Sequence, residues 1–119
     1  MATLTVQVLD ISTGVAPTYA AAAGGGDAYA NDGRTYLHIK NASGGAITAT
    51  IAVQQATITD PQFGVVVPAA RTFSIGAGAE RIVPFLAPGL YNDANGRVVV
   101  TYSGVTTLTV AAIQAPVQQ

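Results

Sequence analysis

Hydrophobic and polar residues alternate with a period of two along most of this chain, between clusters of turn residues. Thr35, Leu37 and Ile39 alternate with Tyr36, His38 and Lys40, directly after the tight-turn signal Asn31-Asp32-Gly33. Asn41-Ala42-Ser43-Gly44-Gly45 turns the chain, and Ile47, Ala49, Ile51 and Val53 then alternate with Thr48, Thr50, Ala52 and Gln54. This spacing predicts two half-buried antiparallel strands with one aliphatic face each.

The same signal recurs on both sides of this hairpin. Leu4, Val6 and Val8 against Thr3, Thr5 and Gln7 predict a first strand ending near Asp10. Val65, Val66 and Val67 form a short strand ended by Pro68, and residues 71–75 read as short and irregular. Residues 80–85 are strand-like, and Pro84, which has no N–H to donate, places them at an edge. Residues 97–102 form a strong strand after the turn Asn95-Gly96. Residues 107–113 form the last, with Leu108, Val110 and Ala112 on one face.

The connections are polar, glycine-rich or both. Residues 11–26 read as a long irregular loop, because an alanine run at 20–23 is too short to nucleate a helix and Gly24-Gly25-Gly26 stops it. Residues 56–63 and 87–96 are further loops. About eight short strands and no helix beyond one or two turns predict an all-β protein. We expect a single-domain antiparallel sandwich over residues 1–119, jelly-roll-like, with an immunoglobulin-like order as the alternative. Its extended N-terminal segment covers 1–10, its Ala/Gly loop 11–26 and its C-terminal arm 114–119.

Composition narrows the function. The 119 residues are 50% hydrophobic but only 9% charged, against about 25% charged in ordinary domains. Exposed faces must therefore be built from Thr, Ser, Gln, Ala and Gly. Five Lys and Arg and a net charge of −1 make no basic patch, so no nucleic-acid partner is expected. The absence of cysteine removes a disulfide framework, cysteine-ligated zinc and a thiol nucleophile. No run of about 18 apolar residues predicts a membrane-spanning helix, and no membrane partner is expected. The N-terminus shows no basic region followed by an apolar block, so the chain reads as made and used without cleavage.

Candidate chemistry is sparse. His38, the sole histidine, shares a strand face with Tyr36 and Lys40 and reads as a solvated or interface residue. No serine lies in G-x-S-x-G. Asp27, Asp32, Asp60, Asp93 and Glu80 could pair for acid–base work, but Asp32, Asp60 and Asp93 read as turn-capping residues. Residues 92–96 lack the alternating acids and terminal Glu of a calcium loop, and Gly24-Gly25-Gly26 lacks the Lys-Ser/Thr of a phosphate loop. No metal or other cofactor, and no enzyme activity, is therefore expected. Tyr19, Tyr29, Tyr36, Tyr91 and Tyr102 could form a sugar platform, although no Trp accompanies them. An adhesion module of that kind would need Tyr29, Tyr36 and Tyr91 on one solvent face.

The surface carries the sharper inference. Sheet proteins guard free edges with lysines, inward charges or bulges, and this chain has one lysine, Lys40. Such edges call for cover by other chains.

Three segments then resemble a known family. They are Asn31-Asp32-Gly33-Arg34-Thr35-Tyr36-Leu37-His38-Ile39-Lys40-Asn41-Ala42-Ser43, then Val65-Val66-Val67-Pro68-Ala69, then residues 90–103 from Leu90-Tyr91-Asn92 to Thr101-Tyr102-Ser103. Over about residues 26–113 the chain resembles small proteins encoded beside the major capsid protein of tailed bacteriophages. It departs from their pattern at Ala69-Ala70-Arg71 and in its longer Ala/Gly loop. The resemblance implies a head decoration, or cement, protein without catalytic residues. It would bind the major capsid protein on the outer surface of the mature virion head, after synthesis in the host cytoplasm, and would itself be a homo-oligomer, with a trimer favoured. Contact residues are expected in the N-terminal segment (Ala2, Thr3, Leu4, Thr5), the loop (Pro17, Thr18, Tyr19) and the C-terminal arm (Gln114, Pro116, Val117). Arg34, Arg71 and Arg81 are expected at the polar rim.

Overall fold

The computed structural model describes residues 2–9, 12, 14–54, 58–62, 64–66, 69–84, 86 and 88–115. Among these, eight strands nest as successive hairpins. They are β3 (Ala20–Ala21), β4 (Asp27–Ala30), β5 (Thr35–Asn41), β6 (Ile47–Ile51), β9 (Arg71–Ile75), β10 (Glu80–Val83), β11 (Arg97–Tyr102) and β12 (Leu108–Gln114). The first pairs with the last, β3 with β12, and then β4 with β11, β5 with β10 and β6 with β9, all antiparallel. Two further antiparallel pairings, β12 with β5 and β11 with β6, join them into two sheets. Nested pairing of this kind is the strand order of a jelly roll. The immunoglobulin-like alternative is thereby set aside.

Two N-terminal strands are added to this frame in parallel. β1 (Ala2–Thr3) pairs with β4 in one sheet, and β2 (Val6–Val8) pairs with β12 in the other. The single strand expected from Thr3 to near Asp10 is thus two strands that cross between sheets at Leu4-Thr5. Leu4 drops into the core at the crossing. The crossing ties the expected extended segment into the fold: the Ala2 N–H donates to Gly26 O at 3.1 Å, Leu4 N–H to Ala28 O at 2.8 Å and Leu9 N–H to Gln114 O at 3.0 Å.

Most of the predicted inward set is in the core: Leu37, Ile39, Ile47, Ala49, Ile51, Leu108, Val110 and Ala112 are buried between the sheets, together with Ile75, Val83, Val98 and Val100. Val53 is only partly buried, and Val8, in step with Leu4 and Val6 in the alternation, is 55% exposed. Each buried Val, Leu or Ile side chain contributes about 1.5–3 kcal/mol through lost apolar surface. Ala111 and Ile113 are buried as well, although their alternation turns them to the outer face. On that face Tyr19, from the loop expected to be irregular, packs against His38, which lies opposite Ala111 in the ladder.

Five elements went unread in the pattern. β3 and β4 lie where a loop and a turn were expected. β7 (Ile58–Asp60), in the expected polar connection, forms a hairpin with β8 (Gly64–Val66) that joins neither main sheet. One helical turn, α1 (Pro88–Tyr91), sits in the loop before β11, and residues 71–75 make a regular edge strand.

Among the described residues, two inward hydroxyls are orphans. Tyr29 is fully buried, its Oη has no partner, and burial pushes its phenol well above the usual range. Thr35 Oγ1 is buried without a partner too. An unpaired buried hydroxyl costs about 1–3 kcal/mol. Tyr29→Phe and Thr35→Val are therefore each expected to raise stability by about 1 kcal/mol, read as a higher urea midpoint with an unchanged slope. A loss of stability in both would show that the hydroxyls are bonded.

Candidate functional site

The contact residues expected from sequence fall on two opposite sides of the sandwich and at one end. On the first side, residues 2–5 cross from sheet to sheet and face the start of β3. Gln7 holds the loop there by paired bonds: its Nε2 donates to Thr18 O and its Oε1 accepts from Thr18 N–H, both at 2.8 Å. Pro17 is exposed next to Thr18. Between these segments lies a groove of about 420 Å³ that Ala2, Thr3, Leu4, Thr5 and Thr18 help to line, so the N-terminal candidates meet one of the three loop candidates there.

Tyr19 turns from that groove to the outer face of the β5 sheet. Its Oη lies 2.6 Å from His38 Nδ1, and His38 Nε2 lies 3.1 Å from Glu80 Oε1. With Nε2 donating to the carboxylate, the neutral ring accepts from the tyrosine hydroxyl at Nδ1. Lys40 Nζ sits over the Tyr19 ring, 4.1 Å from its centroid, a cation–π contact. The cluster clasps the loop to β5 and β10. His38 and Glu80 are brought together by β5–β10 pairing, which spacing alone does not reveal.

At one end of the sandwich, Arg34 and Gln114 converge on Asp32. Arg34 Nη2 is 2.9 Å and Gln114 Nε2 2.8 Å from Asp32 Oδ2, and the Ala115 N–H donates to Arg34 O at 2.8 Å. The Arg34 and Gln114 bonds hold the Asp32 carboxyl below the usual carboxylate range. A lowered value adds stability above the unfolded carboxylate pKa and loses it as pH falls through the folded one. Asp32 is exposed, so the contribution is small. Pro116 and Val117 lie outside the described residues.

Arg71 and Arg81 occupy the second side, on the edge strands β9 and β10. Arg71 Nε donates to Tyr91 Oη and Arg81 Nε to Ser74 O, each at 3.1 Å. Ile82, between them and Pro84, is 58% exposed. The tyrosines do not share a solvent face: Tyr29 and Tyr91 are buried, while Tyr36 stands half-buried on the outer face of β5.

Sequence reasoning named Asp27 only as one of several carboxylates that could pair for acid–base work, and it did not foresee its burial. Asp27 is fully buried in β4, where its Oδ2 accepts from Tyr102 Oη at 2.8 Å and from Ala23 N–H at 3.3 Å. The available signal was its same-face spacing with Tyr29. Burial, and then the bond to Asp27, pushes the Tyr102 phenol far up, so it stays a donor. Among the described residues no three His, Asp or Glu gather as a metal site. Comparison with protein-family models, curated proteins and solved structures finds no match.

Proposed function

We propose that this protein is a decoration protein of a tailed-phage head, a non-enzymatic brace that binds the outer surface of the expanded capsid lattice. The reading is supported most by the β9/β10 side. Its two edge strands carry no lysine, and the charges they do carry are tied back onto their own fold: Arg71 to Tyr91, Arg81 to Ser74 and Glu80 to His38. Ile82 and, on the β7–β8 hairpin, Val65 at 69% are left exposed. Backbone edges of this kind accept a further strand without charged side chains.

Bracing also needs at least two contact surfaces on one molecule, and the sandwich is open on two opposite sides. A brace that binds only the expanded shell stabilises it by mass action, repeated at each site. A trimer built through one side, with the other side on the major capsid protein, fits this requirement.

Ile82→Lys tests the proposal by placing a guarding lysine on the β10 edge. The exposed substitution is expected to shift folding stability by no more than about 0.5 kcal/mol. It is expected to lower occupancy on cognate expanded heads, measured by co-sedimentation, by at least about tenfold. Wild-type protein that fails to bind such heads would refute the reading.

A further inference from the structure

Arg71 stands on the inward face of an edge strand. It precedes Phe73 by two residues and the buried Ile75 by four, so the alternation of β9 puts the three on one side. β9 ends its sheet, and its outer edge has no partner strand among the described residues. Where Arg71 lies, the inward face opens into a cleft of about 390 Å³ between β9, the residues after β10 and α1. Half-buried Phe73 and Leu90, buried Leu86 and Tyr91 and exposed Pro84 make its lining apolar. Among the described residues Arg71 is the one charge in that lining. Its side chain is exposed, and Tyr91 Oη takes only Nε, at 3.1 Å. Nη1 and Nη2 have no partner among the described residues, so a two-pronged end stays open at the rim of the cleft.

We propose that the β9 edge receives an extended segment of the lattice protein that sets a glutamate or aspartate against the free end of Arg71, with an apolar side chain of the same segment in the cleft. The inference rests on the lattice reading above and names the group recognised there. The Nη1–Nη2 end of a guanidinium matches the two oxygens of a carboxylate. Side chains two apart on an added strand share a face, so an acid and an apolar residue at that spacing reach the arginine and the cleft together. An inward charge keeps an apolar strand off a free edge. A strand that brings the opposite charge passes this guard, which makes Arg71 a selector of partners. The carboxylate comes from another kind of chain, because the acids whose side chains are described are engaged at home. Asp27 holds Tyr102, Asp32 holds Arg34 and Gln114, Glu80 holds His38, and Asp93 accepts from the N–H groups of Asn95 and Arg97.

The test compares wild type, Arg71→Met, Arg71→Glu and Thr72→Asp for binding to cognate expanded heads, for oligomeric state and for thermal stability. Methionine keeps an unbranched stem and removes the charge. Arg71→Met is expected to fold, since the position is exposed, and to bind heads at least about tenfold more weakly, the scale of a lost charge-assisted bond. Arg71→Glu sets like charges face to face and is expected to bind more weakly still. Thr72→Asp, at an exposed lining position, brings a carboxylate to the cleft with Arg71 in place and is expected to weaken binding as well. It keeps the test valid if neither Arg71 variant folds. Wild-type affinity in a folded Arg71→Met, or in Thr72→Asp where the Arg71 variants do not fold, overturns the carboxylate assignment and leaves the lattice reading standing. An Arg71→Glu that binds as well as Arg71→Met does the same, because a packing role for the stem is blind to the sign of the charge. A change in oligomeric state with head binding intact assigns the cleft to a second copy and overturns the proposal. A wild type that ignores heads ends both readings.

Discussion

Gly26→Ala is expected to cost about 3 kcal/mol or more of folding stability. Gly26 sits at φ +97°, a backbone conformation that L side chains rarely adopt, and holding alanine there costs about 1–3 kcal/mol. A Cβ at this position would also stand 2.6 Å from Val100 O and 3.1 Å from Thr101 Cγ2. The carbonyl cannot retreat cheaply, because Val100 lies in β11, held between β4 and β6. Overpacking of this kind adds about 1–3 kcal/mol. The sum is a large part of the roughly 5–15 kcal/mol available to a domain. Gly44→Ala is the control, since a Cβ there meets nothing within 4 Å, and it should change stability by less than about 0.5 kcal/mol. Urea unfolding of the two variants settles the matter; a loss under about 1 kcal/mol for Gly26→Ala would mean that the turn relaxes.

The position has a functional consequence. Gly26 O accepts from the Ala2 N–H, and Gly26 precedes Asp27 in the chain. Displacing this turn should loosen β1 before it unfolds the sandwich, so amide exchange at Leu4 should rise ahead of that at Val110.

β5, β6 and β12 were legible because an alternating aliphatic face of each packs inward, and β11 because its valine run reads as strand without giving a face. β3 is two alanines, with no side chain to carry a pattern. β4 places Asp27 on its inward face, and an acid after glycine reads as a turn. The β7–β8 hairpin joins neither main sheet, so the core imposes no pattern on it. At the N-terminus the alternation of Leu4, Val6 and Val8 runs through the point where the chain changes sheets, because alternation records sidedness and not partners. Strand order was open for the same reason. The meeting of residues 2–5 with Thr18 depends on both β1–β4 and β2–β12 pairing, which are contacts far apart in sequence.

Asn41→Ala is expected to remove about 3 kcal/mol, more than its place beside a turn suggests. Asn41 is the last residue of β5 and is 2% exposed. Its Nδ2 donates to Gly45 O and Ile75 O at 2.9 Å each, and its Oδ1 accepts from Ser43 N–H at 3.0 Å and Ser43 Oγ at 2.6 Å. One amide therefore joins the turn between β5 and β6 to the end of β9, in the opposite sheet. Alanine leaves the buried Ile75 O without this donor and removes the acceptor of Ser43 N–H and Oγ, while the exposed Gly45 O keeps Ser43 Oγ; each buried loss costs about 1–3 kcal/mol. Asn41→Asp should be no better, since a second oxygen would face Gly45 O and Ile75 O in place of a donor. Ser43→Ala removes only hydroxyl bonds at the rim of the same network and should cost about 1 kcal/mol. The ordering Asn41→Ala well above Ser43→Ala distinguishes a clamp between sheets from a local turn cap. Equal losses would place the energy in the turn alone and leave this end of the sandwich held by strand pairing and core packing.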